Sequence, residues 1–408
     1  MPLPTVTDVV VVGGGAAGGA LAASLAAAGR GVMVLEATES FTDRVRGESM
    51  MPWGVAEARR LGVVEILHDA GAHVAPTWRR YAEGRAEPRE IPVGSLVPGV
   101  EGTLNLEHRR ACQALLDAAA SAGAAVVRGV RNVEVEPGPN PSVSFNVGAQ
   151  LRRCTPSVVV GADGRGSVVR RACGIRLEHQ AATGFVVGML LDDVEGPADH
   201  DVLAEHDLGL FLLLRQRAGR ARAYHVVSSE HRNRYAGNGG PERFLRDALA
   251  VNDHVARALV CARPAGPCGA VAGTDTWTER PMTDGVVLIG DAAGHNDPTA
   301  GCGLSIAMRD ARTISELLLE GARGGRDFTP YATERSERMR RLRLSADLVN
   351  AASVEAASNR SARRAHFAAA MAEMDAQIFP LVLAMFAGPE TVPSALVDDA
   401  VLERIRAA

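Results

Sequence analysis

VVVVGGGAAGGALAASLAAAG, residues 9–29, decides the fold. Val9 to Val12 is an unbroken apolar run, the pattern of a strand buried on both faces of a parallel sheet. Gly13, Gly15 and Gly18 follow as G-x-G-x-x-G with Ala16 and Ala17 inside the turn, and an Ala/Leu-rich helix is predicted to about Ala28. Glycines at this spacing permit a tight turn, close backbone approach to a pyrophosphate, and close packing of helix on strand. The phosphates would then sit at the positive end of the helix dipole. A second apolar strand, Val32 to Leu35, leads into Glu36 and Ala37. That places an acid about 20 residues past the loop, where a ribose hydroxyl is expected. The pattern is a βαβ unit for a dinucleotide. An ordinary Gly-rich turn would have neither both strands nor the acid in step with it.

Two further segments repeat the strand-then-glycine theme: VVVGADGRGSVVRRA (158–172) and GVVLIGDAAGHNDPTAGCGLSIAMRDA (285–311). In the second, a buried strand from Val286 to Ile289 meets an Asp, a Pro and a glycine pair that opens a helix.

GADGRGSVVR (161–170) resembles the DG motif of FAD-dependent aromatic hydroxylases with the para-hydroxybenzoate hydroxylase fold. GDAAGHNDPTAGCGLS (290–305) resembles the GD motif of the same group A flavoprotein monooxygenases. DRVRGES (43–49) is similar to their Arg-containing loop. The resemblance implies an α/β protein with a three-layer, Rossmann-like FAD-binding domain of the glutathione-reductase type. An α+β substrate domain built on a β-sheet would be interleaved with it, followed by a C-terminal helical segment. On this plan residues 1–72, 106–176 and 276–326 bind FAD, 73–105 and 177–275 form the substrate domain, and 327–408 are helical.

Residue by residue, the resemblance gives Gly290 and Asp291 to the ribityl chain, where a carboxylate offers only acceptors. Pro298 would pass close to the flavin ring. Gly301, Cys302 and Gly303 would open a helix whose N–H groups and dipole face the pyrimidine edge and favour negative charge there. Arg46 would pair with the pyrophosphate, which guanidinium geometry suits. Asp163 and Gly164 would serve both FAD and the groove where a nicotinamide donor approaches.

Two positions depart from the family pattern. Cys302 stands where many relatives carry Gln, as either a small packing residue or a redox group. His108, with Arg109 beside it, stands where an Arg is common at the start of the central helix. Either of the two would face the flavin, and the alternative for His108 is a solvated helix cap. His295 is the catalytic candidate the GD motif brings nearest the flavin, and it reads equally as a histidine satisfied by a nearby carbonyl. Otherwise the chain has no G-x-S-x-G elbow, no H-E-x-x-H and no metal-ligand spacing. Flavin chemistry asks the protein for position and electrostatics, so the lack of an acid/base pair does not argue against an enzyme.

Composition removes other classes. The 408 residues suffice for two domains, and a net charge of −4 gives no electrostatic case for nucleic acid. Six scattered cysteines suit free thiols in a reducing cytoplasm. The first strand follows Met1 closely, which leaves no signal peptide to expect. The longest apolar run, IFPLVLAMFAG (378–388), is too short to span a membrane and reads as a buried helix. The chain has no lysine, so all 44 basic residues are arginine. Flavin-dependent halogenases share much of this fold and the GES at 47–49, but they depend on a lysine, and their W-x-W-x-I-P segment is missing here too.

MPWGVAEARRLGVVEILHDAG (51–71) reads as a helix and TWRRYAEGRAEPREIPVGS (77–95) as a β-excursion. GFVVGMLL, GLFLLLRQ and RAYHVVSS, beginning at 184, 209 and 222, are predicted strands of a sheet laid over the flavin, with a helix across 241–259. Phe211, Leu213, Tyr224, His225 and Trp277 lie on those predicted strands as candidates to line a substrate pocket or to be ordinary core. YATERSERMRRLRLSADLVN (331–350) reads as an Arg-studded solvated helix face.

The expected activity is a single-component FAD monooxygenase. NADPH or NADH would reduce the flavin, O2 would be activated at its C4a, and a hydrophobic, aromatic or polyketide-like small molecule would be hydroxylated or epoxidised. The alternatives are a non-oxygenating FAD oxidoreductase of the prenyl-reductase type, or a flavoprotein whose FAD is structural and whose surface binds a partner. No obligate protein partner is evident.

Overall fold

The computed structural model describes residues 3–45, 47–320 and 327–408. The strand Val6–Val12 lies at the centre of an eight-stranded sheet. It pairs in parallel with Val32–Glu36 on one side and Gln150–Gly161 on the other. Ala125–Arg128 and Val286–Leu288 extend the parallel array outward. The three strand-to-glycine turns read in the sequence, after Val12, Gly161 and Leu288, therefore emerge side by side at one sheet edge. This is the carboxyl edge, where open α/β sheets hold their ligands. The helices Ala16–Ala27, His108–Ser121 and Gly303–Glu320 pack together over one face, their Ala and Leu side chains forming one core with Val9, Val11 and Val160.

Gly18 shows why that packing is so close. A Cβ there would lie 2.0 Å from the Gly13 carbonyl oxygen and 3.0 Å from the Ala162 side chain.

A second eight-stranded sheet, almost wholly antiparallel, is built from Gly184–Val194, His200–His206, Gly209–Arg217 and Gly219–Ser228 with short flanking strands. Thr77–Tyr81 joins it in parallel beside His200–His206, so the early β-excursion completes a sheet formed far later in the chain. Both faces of this sheet are covered. Phe211, Leu213, Val187 and Val227 pack on the helices Gly240–Leu249 and Asp253–Leu259. Leu210, Leu214, Tyr224, Val226 and Val186 turn to the opposite side, toward the C-terminal helices.

Three helical expectations change in detail. The segment 51–71 forms two helices, Pro52–Arg60 and Val64–Asp69, parted at Gly62, whose φ is +80°. The span 241–259 is also two helices, because the Asn252 side chain accepts from the Val255 N–H and starts a second one. The helix Thr329–Ser353 forms, but its arginines are not all solvated. Arg335 and Arg338 are buried and converge on the buried Asp310 carboxylate, at 3.0 and 2.7 Å. The run 378–388 forms the helix Ile378–Ala387, with Ile378, Leu381 and Ala384 fully buried. Among the described residues no helix is long and apolar enough to cross a membrane, and no two cysteines are joined.

Candidate functional site

The carboxyl edge of the parallel sheet opens into a cavity of about 1200 Å³. Ligand pockets commonly span roughly 300–1,000 Å³, so this one has room for more than one small molecule. Gly13, Gly15, Ala16, Ala17, Glu36, Ala37, Asp163, Gly164, Gly290, Asp291, Pro298, Gly301 and Gly303 all line it. Residues separated by up to 290 positions thus meet on one surface. Arg46 lies outside the described residues, and its neighbours Val45 and Gly47 line the same cavity.

The local geometry suits a dinucleotide on three counts. First, the helix Ala16–Ala27 begins without a side-chain cap and without an acid in its first turn. Its leading N–H groups are left for an anion, which the helix dipole favours. Second, Cβ atoms built on Gly15, Gly164 and Gly303 meet none of the described residues within 4 Å, so these glycines border space that side chains would fill. Third, the Asn296 Oδ1 is a buried acceptor in the cavity wall that finds no hydrogen-bond donor among the described residues. Buried acceptors are normally paired, and a bound ligand would supply the donor.

Glu36 links this cradle to the loop that forms it. Its carboxylate accepts from the Gly14 N–H at 2.7 Å, and from the Thr38 N–H and hydroxyl at 2.8 and 2.7 Å. A carboxylate has about four acceptor sites, so roughly one remains for a ribose hydroxyl. Glu36→Ala is expected to weaken FAD binding by about 10- to 100-fold, through the lost ribose contact and the orphaned Gly14 N–H. Fluorescence titration of the apoprotein with FAD reads it, and unchanged affinity would remove Glu36 from the site.

The GD turn is held from behind. The buried Arg335 guanidinium donates to Asp310 at 3.0 Å and to the carbonyls of Ala293, Gly290 and Gly294 at 3.0, 3.2 and 2.8 Å. Asp310 in turn accepts from the Gly290 N–H at 2.8 Å. Burial pushes the Asp310 carboxyl up, but Arg335 and Arg338 outweigh it and hold it below its usual value. Asp291 is left half-exposed on the cavity side, 3.3 Å from the Arg165 guanidinium, so the GD and DG motifs also meet through an ion pair. At Gly301 the backbone takes φ +66°, and a Cβ would lie 2.6 Å from the Met51 Cε.

Other expected site residues take different places. Asp163 lines the cavity, but its carboxylate is engaged by the Ser167 hydroxyl and the Val168 and Val169 N–H groups at the start of the helix Val168–Ala172. Of the pair His108 and Arg109, His108 faces the cavity, while Arg109 points outward and bonds Glu107. Cys302 turns away from the cavity, its thiol 3.2 Å from the Ala300 carbonyl oxygen and 3.7 Å from that of Met385. Burial pushes that thiol up to about 12, which fits a packing residue and withholds a reactive thiolate.

His295 lines the cavity with both ring nitrogens engaged, 2.8 Å from the Thr276 hydroxyl and 3.1 Å from the Thr274 hydroxyl. Its partners are hydroxyls, not the carbonyl expected. Burial first, then the Arg165 charge, lower its pKa to about 4, so the imidazole is neutral at pH 7.

The substrate-side expectations divide by strand parity. Tyr224 faces the cavity. Phe211 and Leu213 do not, because Tyr224 pairs with Leu212, and successive side chains alternate between faces. Leu210, Leu212 and Leu214 line the cavity in their place, while Phe211, Leu213 and His225 face the opposite core. Trp277 also lies off the cavity lining, under the Arg343 guanidinium at 3.7 Å.

Sequence reading passed over Glu48, a side chain that joins the antiparallel sheet to the start of the helix His108–Ser121. It is almost fully buried, accepting from Arg222 Nε at 2.6 Å, Gln216 Nε2 at 2.6 Å and the His108 N–H at 3.3 Å. Burial raises its pKa, and Arg222 opposes the shift. Its only sequence signal was the GES tripeptide.

Asp275 was missed as well. It lies behind the GD turn, accepting from the Asn296 amide at 2.8 Å, with Asp297 and Asp347 near enough to act on it electrostatically. Burial raises its pKa to about 7, and the Asp297 charge adds to the shift. A carboxyl raised in the folded state contributes stability that is lost as pH rises from the unfolded value through the folded one. Asp275→Asn, which imitates the protonated acid, is therefore expected to raise Tm at pH 8 and to change it little near pH 4, about the unfolded value. Equal shifts at both pH values would contradict this.

A parallel sheet layered with helices, three motif turns on one of its edges and an uncapped helix facing a glycine-lined cavity define a dinucleotide-binding flavoprotein fold. Residues 6–346 match the FAD binding domain family, and the chain belongs to it. It is 26% identical over 330 residues to squalene monooxygenase SE1 of Panax ginseng, covering 76% of this chain and 58% of that protein. It is 26% identical over 325 residues to 6-methylpretetramide 4-monooxygenase of Streptomyces rimosus, covering 74% of this chain and 54% of that one. The chain thus spans little more than half the length of these relatives. Among solved structures it superposes on the flavin-dependent brominase Bmp2 with a TM-score of 0.77 at 17% identity, covering 99% of this chain and 100% of that one.

Proposed function

We propose that the protein is an FAD-dependent monooxygenase that takes electrons from NADPH or NADH and hydroxylates or epoxidises a hydrophobic small molecule. One observation carries the reading. The glycine cradle and an apolar chamber walled by Leu203, Leu210, Leu212, Leu214 and Val226 are parts of a single cavity. A cofactor held at one end would act on a guest held at the other.

FAD, when bound, supplies the oxygen chemistry, and the protein supplies position and electrostatics. Glu36 and the helix start at Ala16 would hold the adenosine ribose and the phosphates, and Asp291 the ribityl hydroxyls. The N–H groups at the start of Gly303–Glu320 would favour negative charge on the flavin pyrimidine. The helices Arg360–Ala372 and Ile378–Ala387 contribute Phe367, Phe379 and Phe386 to the chamber wall, which would shield the guest from water. Neutral His295 and Tyr224, whose phenol burial holds protonated, would orient groups without adding charge.

The division proposed from sequence follows the same logic: an FAD domain at 1–72, 106–176 and 276–326, a substrate domain at 73–105 and 177–275, and a helical region at 327–408. A cytoplasmic setting suits six cysteines with no disulfide among them.

Likeness to a brominase makes halogenation a second reading, and the chain has no lysine to carry it.

Anaerobic mixing of the purified yellow protein with NADPH, then NADH, tests the proposal. Bleaching of the flavin band, fastest with a bound lipophile and reversed by air, is expected. Colour that persists with both nicotinamides across a panel of lipophiles would overturn it in favour of the non-oxygenating alternative.

A further inference from the structure

Away from the flavin side the apolar chamber wall carries a buried polar feature, beside the exposed Arg89 and Glu90 of the neighbouring strand. Arg80 on the strand Thr77–Tyr81 and Glu205 on the neighbouring His200–His206 form an ion pair in its wall, their side chains only 13% and 3% exposed. Glu205 also accepts from the Glu83 N–H at 3.3 Å, and the Arg80 guanidinium lies 5.8 Å from the Phe367 ring centroid. Leu203, Leu210, Leu212 and Val226 share the sheet face with the pair.

Burying an ion pair among such neighbours brings a desolvation cost that apolar residues of the same size would avoid. A local structural gain is small, since one backbone N–H is the only further group it satisfies among the described contacts of Glu205. Sheet order also fixes where the pair lies. The GD turn lies against the strand Gly184–Val194, since the Gly273 N–H bonds the Gly184 carbonyl and a Cβ on Gly273 would lie 2.8 Å from the Asp297 carboxylate. The strand His200–His206, which carries Glu205, is three places across the sheet from it, which at strand spacing is roughly 14 Å.

We propose that the substrate of this site has an extended aliphatic body with a neutral polar group, a hydroxyl, carbonyl or amide, seated on the Arg80–Glu205 pair, and that it reacts at the end roughly 14 Å away, across the sheet. The proposal rests on the monooxygenase reading and specifies its substrate class. The pair has no net charge. An ionic head group would bring an uncompensated charge into an apolar chamber, where burial is costly. A neutral group can accept from the guanidinium, donate to the carboxylate, or do both.

Isothermal titration calorimetry of the FAD-loaded protein, without nicotinamide, tests this with 1-decanol, decanoate and decyltrimethylammonium. Wild type is expected to bind the alcohol about tenfold more tightly than either ion, the worth of a hydrogen bond to a charged group. Glu205→Gln leaves Arg80 uncompensated and should raise decanoate affinity about tenfold. Arg80→Gln should do the same for decyltrimethylammonium. Equal binding of all three probes by wild type, or no binding, would overturn the proposal, as would variants that keep the wild-type ranking. If a variant loses its flavin, the wild-type ranking decides alone. Flavin reduction and reoxidation take no part in this readout, so a failed ranking leaves the monooxygenase reading to its own test.

Discussion

Arg335→Met should lose about 3–5 kcal/mol of stability, the cost of removing one partner from a buried charged network. The side chain satisfies four acceptors at once: the Asp310 carboxylate and the carbonyls of Gly290, Ala293 and Gly294. Three of these belong to the turn that presents Asp291 to the cavity. Methionine fills much of the volume but donates nothing, so the three carbonyls lose a buried donor, and that loss makes up part of the cost. Arg338 still reaches Asp310 at 2.7 Å, which keeps the loss from being larger. Arg335→Lys should recover only part of it, because a compact ammonium cannot reproduce the planar fork. Thermal melts and the flavin-to-protein ratio of the purified variants read both effects. A methionine variant with wild-type Tm and full flavin content would show that the GD turn holds itself.

Gly15→Val separates cofactor binding from folding. Gly15 sits at φ −68°, ψ −169°, which any residue adopts, and a Cβ there meets none of the described residues within 4 Å. The valine would fold without strain and project into the space proposed for the pyrophosphate. FAD affinity is expected to fall by about 100-fold, the upper range for inserting methyl groups into a filled site. The apoprotein should melt where wild-type apoprotein does. Stoichiometric flavin in the variant would place the phosphates elsewhere.

The cofactor side was readable because its signals are local. A G-x-G-x-x-G between two apolar strands, with Glu36 in step, needs no knowledge of the rest of the chain. The DG and GD segments carry the same strand-to-glycine grammar, and the sheet brings all three turns to one edge.

The substrate side was not readable in the same way. GLFLLLRQ is apolar on both parities because the sheet is covered on both faces, so alternation does not show which residues look into the cavity. Choosing Phe211 and Leu213 over Leu210, Leu212 and Leu214 was a one-residue slip that only pairing with Tyr224 resolves. Arg335 and Arg338 were misread for a related reason. Arginines at helical spacing suggest a solvated face unless their partner is known, and Asp310 lies on a different helix 25 residues before Arg335. Glu48 likewise takes its meaning from Gln216 and Arg222, more than 160 positions away.

Isotopically labelled O2 supplied to the NADPH-reduced protein, with a neutral lipophile that calorimetry shows to bind, tests the central claim most directly. The account predicts one labelled oxygen atom in the product, by mass, for each NADPH consumed. A product changed only in hydrogen content, or a flavin that reoxidises without altering the lipophile, would contradict it.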